Sequence, residues 1–171
     1  ALCQGVSGVG RITAFNPENF PSQIAGEVKD FNFENVVEKR ELKRYDRFSL
    51  FGMSAAKEAW KDAGLEGHNY QKERMGCILG IGIGGLPVLE ENYASLLSDG
   101  FKRVSPFLIP AMISNLGPGN IGIELDLRGV NFTITSACTS GTHAVGEAWR
   151  MIKAGVQDVI LTGGTEAAIT Q

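Results

Sequence analysis

The stretch Val130 to Ala154, VNFTITSACTSGTHAVGEAWRMIKA, changes its periodicity once, and that change restricts the architectures open to the chain. Val130, Phe132, Ile134 and Thr135 are β-branched or aromatic, with Thr133 among them, which predicts a strand. Ser136-Ala137-Cys138-Thr139-Ser140-Gly141 breaks it with small or polar side chains. Ala144, Val145, Ala148, Trp149, Met151 and Ile152 then recur at helical spacing. Cys138 therefore falls where a strand hands over to a helix, among the first helical N–H groups. Those donors and the helix dipole favour an anion, here a thiolate, and the small neighbours leave room for a substrate. A nucleophilic cysteine is built this way. The same position also suits a cysteine packed as a small hydrophobe, and position alone leaves both readings open.

The rest of the chain repeats the alternation. Leu42 to Ala63 carries Tyr45, Phe48, Gly52, Ala55, Ala56, Ala59, Trp60 and Ala63 at helical spacing, with Gly64 as the stop. Its small residues predict close packing. Arg74 to Ile81 reads as an apolar strand, and Leu86 to Ser98 as a helix with Leu86, Leu89, Tyr93, Leu96 and Leu97 on one side. Ser114 to Leu125 is helical in pattern, although Gly117-Pro118-Gly119 weakens its first turn. Gly155 caps the helix after Cys138, and Val156 to Thr162 is a further strand, closed by Gly163-Gly164-Thr165-Glu166. Between these, Ser105 to Pro110 is expected to be extended between its prolines. Near the start, Ala1 to Gly5 reads as the tail of a helix and Gly5 to Gly10 as a loop. Phe15 to Pro21 reads as a loop, Ile24 to Val28 as a short strand and Asn32 to Glu38 as a short helix. Strands alternating with helices argue an α/β layer structure.

Composition removes several function classes. The chain has 171 residues, enough for one domain with a real core, with 43% hydrophobic and 20% charged residues. A net charge of −3 argues against a general nucleic-acid binder. The uncharged, glycine-rich run Met75 to Leu89 is shorter than the ~20 apolar residues of a membrane helix. Cys3, Cys77 and Cys138 are odd in number and widely spaced, so neither a disulfide framework nor a zinc site is indicated. A reducing, cytoplasmic setting fits such thiols. Gly80-x-Gly82-x-x-Gly85 matches the bare spacing of a dinucleotide loop, but no acid marks the end of a following strand. Glycines that allow backbones to approach closely explain the same residues.

The segment T-S-A-C-T-S-G-T-H-A-V-G around Cys138 resembles the active-site segment of the β-ketoacyl-acyl carrier protein synthases, most closely the type II elongating form. The likeness extends along the chain: I-A-G-E-V-K-D-F from Ile24, the basic run Lys39 to Arg47, and G-I-G-I-G-G-L from Gly80 followed by E-E-N from Glu90. It continues with V-S-P-F-L-I-P from Val104, L-R-G-V from Leu127 and D-V-I-L-T-G-G-T-E from Asp158. The resemblance implies a thiolase-like fold, of which residues 1–171 would form the N-terminal half, a layered mixed sheet with helices lacking the family's first strand. Such a half, alone, would expose an apolar sheet face and be poorly stable.

The resemblance also implies a chemistry. Cys138 would accept an acyl group from acyl carrier protein and pass it to the malonyl form of the carrier in a decarboxylative condensation, the elongation step of fatty-acid synthesis. The backbone N–H of Cys138 would supply half of an oxyanion hole. Ile83 would line the acyl pocket, and Leu108 would close that of a neighbouring subunit in a homodimer. Arg40, Lys43 and Arg44, with Lys102 and Arg103 from the second subunit, would meet the acidic carrier. No metal or other cofactor, nucleic acid or membrane is implied. The family's two catalytic histidines, a lysine and a gating phenylalanine would belong to a second half. His68 sits in a polar loop, and His143, five positions past Cys138, is turned away from it and reads as a packing or hydrogen-bonding residue. A polyketide-type ketosynthase, a chain-initiating synthase, or a non-catalytic module that binds the carrier protein are the competing readings.

Overall fold

The strand that reads as a continuous apolar run becomes the centre of the molecule. The computed structural model describes residues 2–67 and 70–171. A small antiparallel ribbon comes first, from β1 (Val9–Arg11) and β2 (Ile24–Gly26). Helix α1 (Arg47–Asp62) leads to β3 (Met75–Gly80), then to α2 (Leu86–Asp99), α3 (Leu108–Met112) and α4 (Leu116–Glu124). The chain closes with β4 (Asn131–Ile134), α5 (Ser140–Lys153) and β5 (Val159–Gly164). The main sheet has the order β4-β3-β5 with both pairings parallel. Cys77 pairs with Asn131 on one side and Leu161 on the other, and Gly80 pairs with Ile134 and Gly164.

All six residues of β3 are buried, as expected of a parallel strand covered on both faces. Met75, Cys77 and Leu79 face one layer, where Phe48, Met53 and Trp60 of α1 and Ile121 of α4 complete the larger core. Ile78 points the other way and meets Ala144 and Ala148 of α5. Those alanines let α5 lie close to the sheet, while Val145, Trp149 and Ile152 stay exposed.

Asp46 fixes the start of α1. It is extended, and its carboxylate accepts the Phe48 N–H at 3.1 Å, a helix N-cap. The expected helix from Leu42 is divided there into a 3-10 turn, Leu42–Arg44, and α1 proper. Burial holds the Asp46 pKa above the ordinary carboxylate value, opposed by the N–H groups of Phe48 and Val88. Asp46→Ala should lower the stability of the whole protein by about 1 kcal/mol, measured by denaturant unfolding. An unchanged midpoint would remove the cap from the account. Gly64, at φ +66, ends the helix as expected. The buried face is not the alanine stripe: Leu50 and Met53 are buried, whereas Ala55, Ala59 and Ala63 are exposed.

Other local expectations change for identifiable reasons. Ser105 to Pro110 is not extended. Ser105 Oγ accepts the Phe107 N–H, its carbonyl accepts the Leu108 N–H at 3.0 Å, and α3 begins at once. Pro110 is the third residue of α3, where an N–H has no partner within the helix in any case. Gly117 and Pro118 likewise sit inside α4, buried, where a side chain on Gly117 would strike Ile81. Near the start, a single 3-10 turn at Leu2–Gln4 replaces the helix tail, β1 occupies part of the expected loop, and β2 stops at Gly26. Phe33–Asn35 is one 3-10 turn rather than a helix to Glu38.

Arg74 ties the entry of β3 to the entry of β5. Its guanidinium donates to both carboxylate oxygens of Asp158, at 2.7 and 2.6 Å. Those bonds hold the Asp158 pKa below its ordinary value. Its contribution is therefore present above the unfolded value of about 3.9 and is lost as pH falls through the lower folded value. Asp158→Asn should flatten the acid limb of the stability–pH curve without changing its neutral-to-alkaline shape. An unaltered acid limb would contradict the assignment.

Candidate active site

Cys138 lies in the turn from β4 to α5, one residue before the helix N-cap Thr139. It thus stands just outside the first helical N–H groups rather than among them. The turn is held by its own side chains. Ala137 has φ +52, a left-handed conformation uncommon for a residue with a Cβ. Ser140 Oγ donates to the Ala137 carbonyl at 2.7 Å and accepts the Ser136 N–H at 2.8 Å. Thr139 Oγ1 donates to the Ser136 carbonyl at 2.8 Å and so does not cap α5. Ser136 Oγ and His143 Nδ1 are 2.6 Å apart. The imidazole is thus bonded to Ser136, in keeping with the hydrogen-bonding reading of His143. His68, expected in a solvated loop, lies outside the described residues.

The three thiols are not equivalent. Cys138 and Cys3 are exposed, and Cys77 is buried in β3, where burial pushes its pKa up to about 12. Cys77 is the packed small hydrophobe and Cys138 is the accessible thiol. Only Cys138 stands at a strained strand-to-helix turn.

The glycine-rich loop after β3 borders this turn. Thr135 Oγ1 donates to the Ile81 carbonyl at 2.9 Å, and the Ile81 N–H donates to the Ile134 carbonyl. Ile83 is 61% exposed at the loop's tip. The N–H groups of Ile83 and Gly84 both point at the Glu166 carboxylate, at 2.7 and 3.1 Å. An internal anion therefore occupies the donors that a dinucleotide phosphate would need, which removes that reading. The glycines serve close approach instead: a Cβ on Gly84 would lie 2.7 Å from the Met112 carbonyl oxygen, and one on Gly85 the same distance from that of Ala111. This seats α3, whose first residue is Leu108, directly on the loop. Ile83, α3 and the Cys138 turn are thus neighbouring parts of one surface. Glu166 and Ser136 lie in the segments that carry the resemblance, but the sequence assigns them no role, because a carboxylate and a hydroxyl after a strand carry no pattern of their own.

The basic residues are less free than their run suggests. Arg40 pairs with Glu38 at 2.7 Å, and Arg44 with Glu41 at 2.7 Å. Arg47 stacks over Phe33 and Phe51 and donates to the Val28 carbonyl. Lys43 forms no ion pair among the described residues and is exposed. Arg44 also lies over the Phe107 ring, 5.4 Å from its centroid, beside α3. Lys102 and Arg103 are exposed on a 3-10 turn between α2 and α3. Among the described residues no cluster of three or more His, Cys, Asp or Glu could hold a metal, and no helix is long and apolar enough to cross a membrane.

A sequence model of the beta-ketoacyl synthase N-terminal domain matches residues 1–171. The 3-oxoacyl-[acyl-carrier-protein] synthase 2 of Coxiella burnetii is 44% identical over 170 residues, covering 99% of this chain and 41% of that protein. The protein of the same description from Staphylococcus aureus strain N315 is 40% identical over 167 residues, covering 98% and 40%. The chain thus spans about two-fifths of the length of these curated relatives. Among solved structures, a type II PKS acyl-carrier protein in complex with its ketosynthase bound to the hexaketide superposes with a TM-score of 0.78 at 25% identity, over 83% of this chain and 41% of that one. A beta-ketoacyl synthase from Burkholderia phymatum STM815 gives 0.75 at 24% identity over 90% and 38%, a likeness of fold.

Proposed function

The chain belongs to the beta-ketoacyl synthase family, through its N-terminal domain, and on that premise we propose that Cys138 is the acyl acceptor of a fatty-acid-elongating ketoacyl synthase. The observation that carries this reading is the exposed thiol on a strained strand-to-helix turn, in contrast to the thiol of Cys77, which is buried within β3. The Cys138 thiolate attacks the thioester carbonyl of an acyl carrier protein. The tetrahedral intermediate collapses by breaking the carbon–sulfur bond to the carrier, whose thiolate takes up a proton. The acyl group is left on Cys138 Sγ. In the whole protein, malonyl-carrier then loses CO2, and the resulting carbanion forms a carbon–carbon bond to the acyl carbon and expels the Cys138 thiolate. No cofactor enters either step.

The surface around the thiol supports the remaining assignments. Ile83, exposed on the neighbouring loop, lines the acyl chain, and Leu108 of α3 meets the chain in a partner subunit. β4 is an edge strand in the sheet and offers its free side to a second copy in a homodimer. Lys43, with Arg40, Arg44, Lys102 and Arg103, attracts the acidic carrier; a cytoplasmic setting suits three unpaired thiols. Charge reversal at Lys43 should raise the KM for acyl-carrier substrate about threefold to tenfold and leave kcat nearly intact, because steering acts on encounter. Since Arg40 and Arg44 are already paired to Glu38 and Glu41, reversing either alone should do less. A larger effect at Arg40 than at Lys43 would overturn that ranking. Relatives at 40–44% identity favour fatty-acid over polyketide substrates, whose structural neighbour stands at 25%.

Alkylation tests the nucleophile. Iodoacetamide should block acyl uptake by the whole protein as completely in a Cys3→Ala variant as in the parent. Uptake that persists after Cys138 is fully alkylated would overturn the proposal.

A further inference from the structure

We propose that Glu166 is a positioning residue that sets the wall of the Cys138 site and so its preference among acyl groups of different length. This rests on the reading of Cys138 as the acyl acceptor and names what fixes the pocket beside it. Glu166 follows β5, two residues past its last strand position, and reaches across to the loop after β3. Both its oxygens are used: Oε2 accepts the Ile83 N–H at 2.7 Å and Oε1 accepts the Gly84 N–H at 3.1 Å. Gly84 is held at φ +87, so its left-handed conformation aims successive N–H groups to the same side. Gly82 has no side chain to obstruct the carboxylate, since a Cβ there would lie 2.7 Å from Glu166 Oε2. The same Cβ position is 3.9 Å from the Ala137 carbonyl oxygen, in the Cys138 turn itself.

The carboxylate therefore clamps a loop with one edge against the nucleophile's turn and, at its tip, the exposed side chain of Ile83. The neighbouring anchors act elsewhere. Ile81 is tied to β4 and to Thr135, and Gly85 donates to the Met112 carbonyl at 2.9 Å. Residues Gly82 to Gly84 lie between those anchors, and Glu166 holds Ile83 and Gly84 there. A charged acceptor with two N–H donors makes a stronger and more directional clamp than a neutral one. Without it the loop keeps its ends and gains freedom at Ile83, the position that meets a substrate's tail.

The test compares two reagents of one electrophile, iodoacetamide and its N-octyl derivative, by their alkylation rates at Cys138, read from the mass of the Cys138 peptide in the whole protein. Glu166→Ala should change the ratio of octyl to plain rates by at least about threefold, the scale on which a pocket wall discriminates methylenes. Gly82→Ala, which displaces the carboxylate from the other side, should change it in the same sense. Glu166→Gln, which keeps one carbonyl acceptor, should fall between. A ratio equal to the parent's in both alanine variants, including equal slowing or quickening with both reagents, overturns the inference. The ratio is independent of carrier-protein transfer: parent protein that takes no acyl group from a carrier thioester would strike the acyl-acceptor reading, whereas normal transfer with an unmoved ratio strikes only the role of Glu166.

Discussion

Gly80→Ala should destabilise the protein by about 4 kcal/mol or more, enough to prevent soluble accumulation of a marginally stable fold. Gly80 is the last residue of β3, and the N-terminus of α5 rests directly on it. A Cβ there would lie 2.1 Å from the Ser140 carbonyl carbon and 2.2 Å from the Gly141 nitrogen. These are backbone atoms, so no rotamer change relieves the overlap. Retreat of α5 is opposed by its packing through Ala144 and Ala148 on Ile78. On its other side, a Cβ on Gly164 would come within 3.1 Å of the Gly141 Cα, so β5 crowds the same helix turn. Urea unfolding of the purified protein, or its soluble yield, measures the effect. A loss of 1 kcal/mol or less would mean that the helix start is less tightly seated than its contacts indicate.

Cys138→Ala should reduce acyl transfer from a carrier thioester by at least about 10⁴-fold, because it removes the atom proposed to take the acyl group. Folding should change little, since Cys138 is exposed and the turn is held by Ser136, Thr139 and Ser140. Cys77→Ala is the counterpart: its thiol fills the core, so it should cost stability and leave transfer intact. Single-turnover transfer from radiolabelled acyl carrier, with unfolding followed in parallel, separates the two. Transfer that survives in Cys138→Ala would place the nucleophile elsewhere.

The parts legible in the sequence are those set by periodicity or by a single backbone requirement. The apolar run from Arg74 predicts β3 because a strand buried on both faces needs no polar alternation, and Gly64 and Gly155 predict helix ends because both need positive φ. The Cys138 turn was legible for the same reason, its small residues lying between two periods. Its exact place was not: Thr139 spends its hydroxyl on the Ser136 carbonyl, and the helix starts one residue beyond Cys138's neighbour. Side-chain bonds also decided the other departures. Asp46 caps α1 and divides the expected helix, and Ser105 turns an expected extended segment into α3. The basic run from Lys39 read as a charge patch because acids three or so residues apart do not reveal whether they pair; Glu38 and Glu41 take up Arg40 and Arg44. The role of Glu166 was not legible because its partners are backbone N–H groups more than eighty residues away.

The most direct measurement of the central claim is residue-level mapping of the acyl group. The whole protein is exposed to acyl-carrier thioester, quenched in acid and digested, and the peptides carrying Cys3, Cys77 and Cys138 are weighed. The acyl mass should appear on the Cys138 peptide alone, with Cys77 unmodified in its buried strand. An acyl group on the Cys3 or Cys77 peptide, with Cys138 unmodified, would contradict the account.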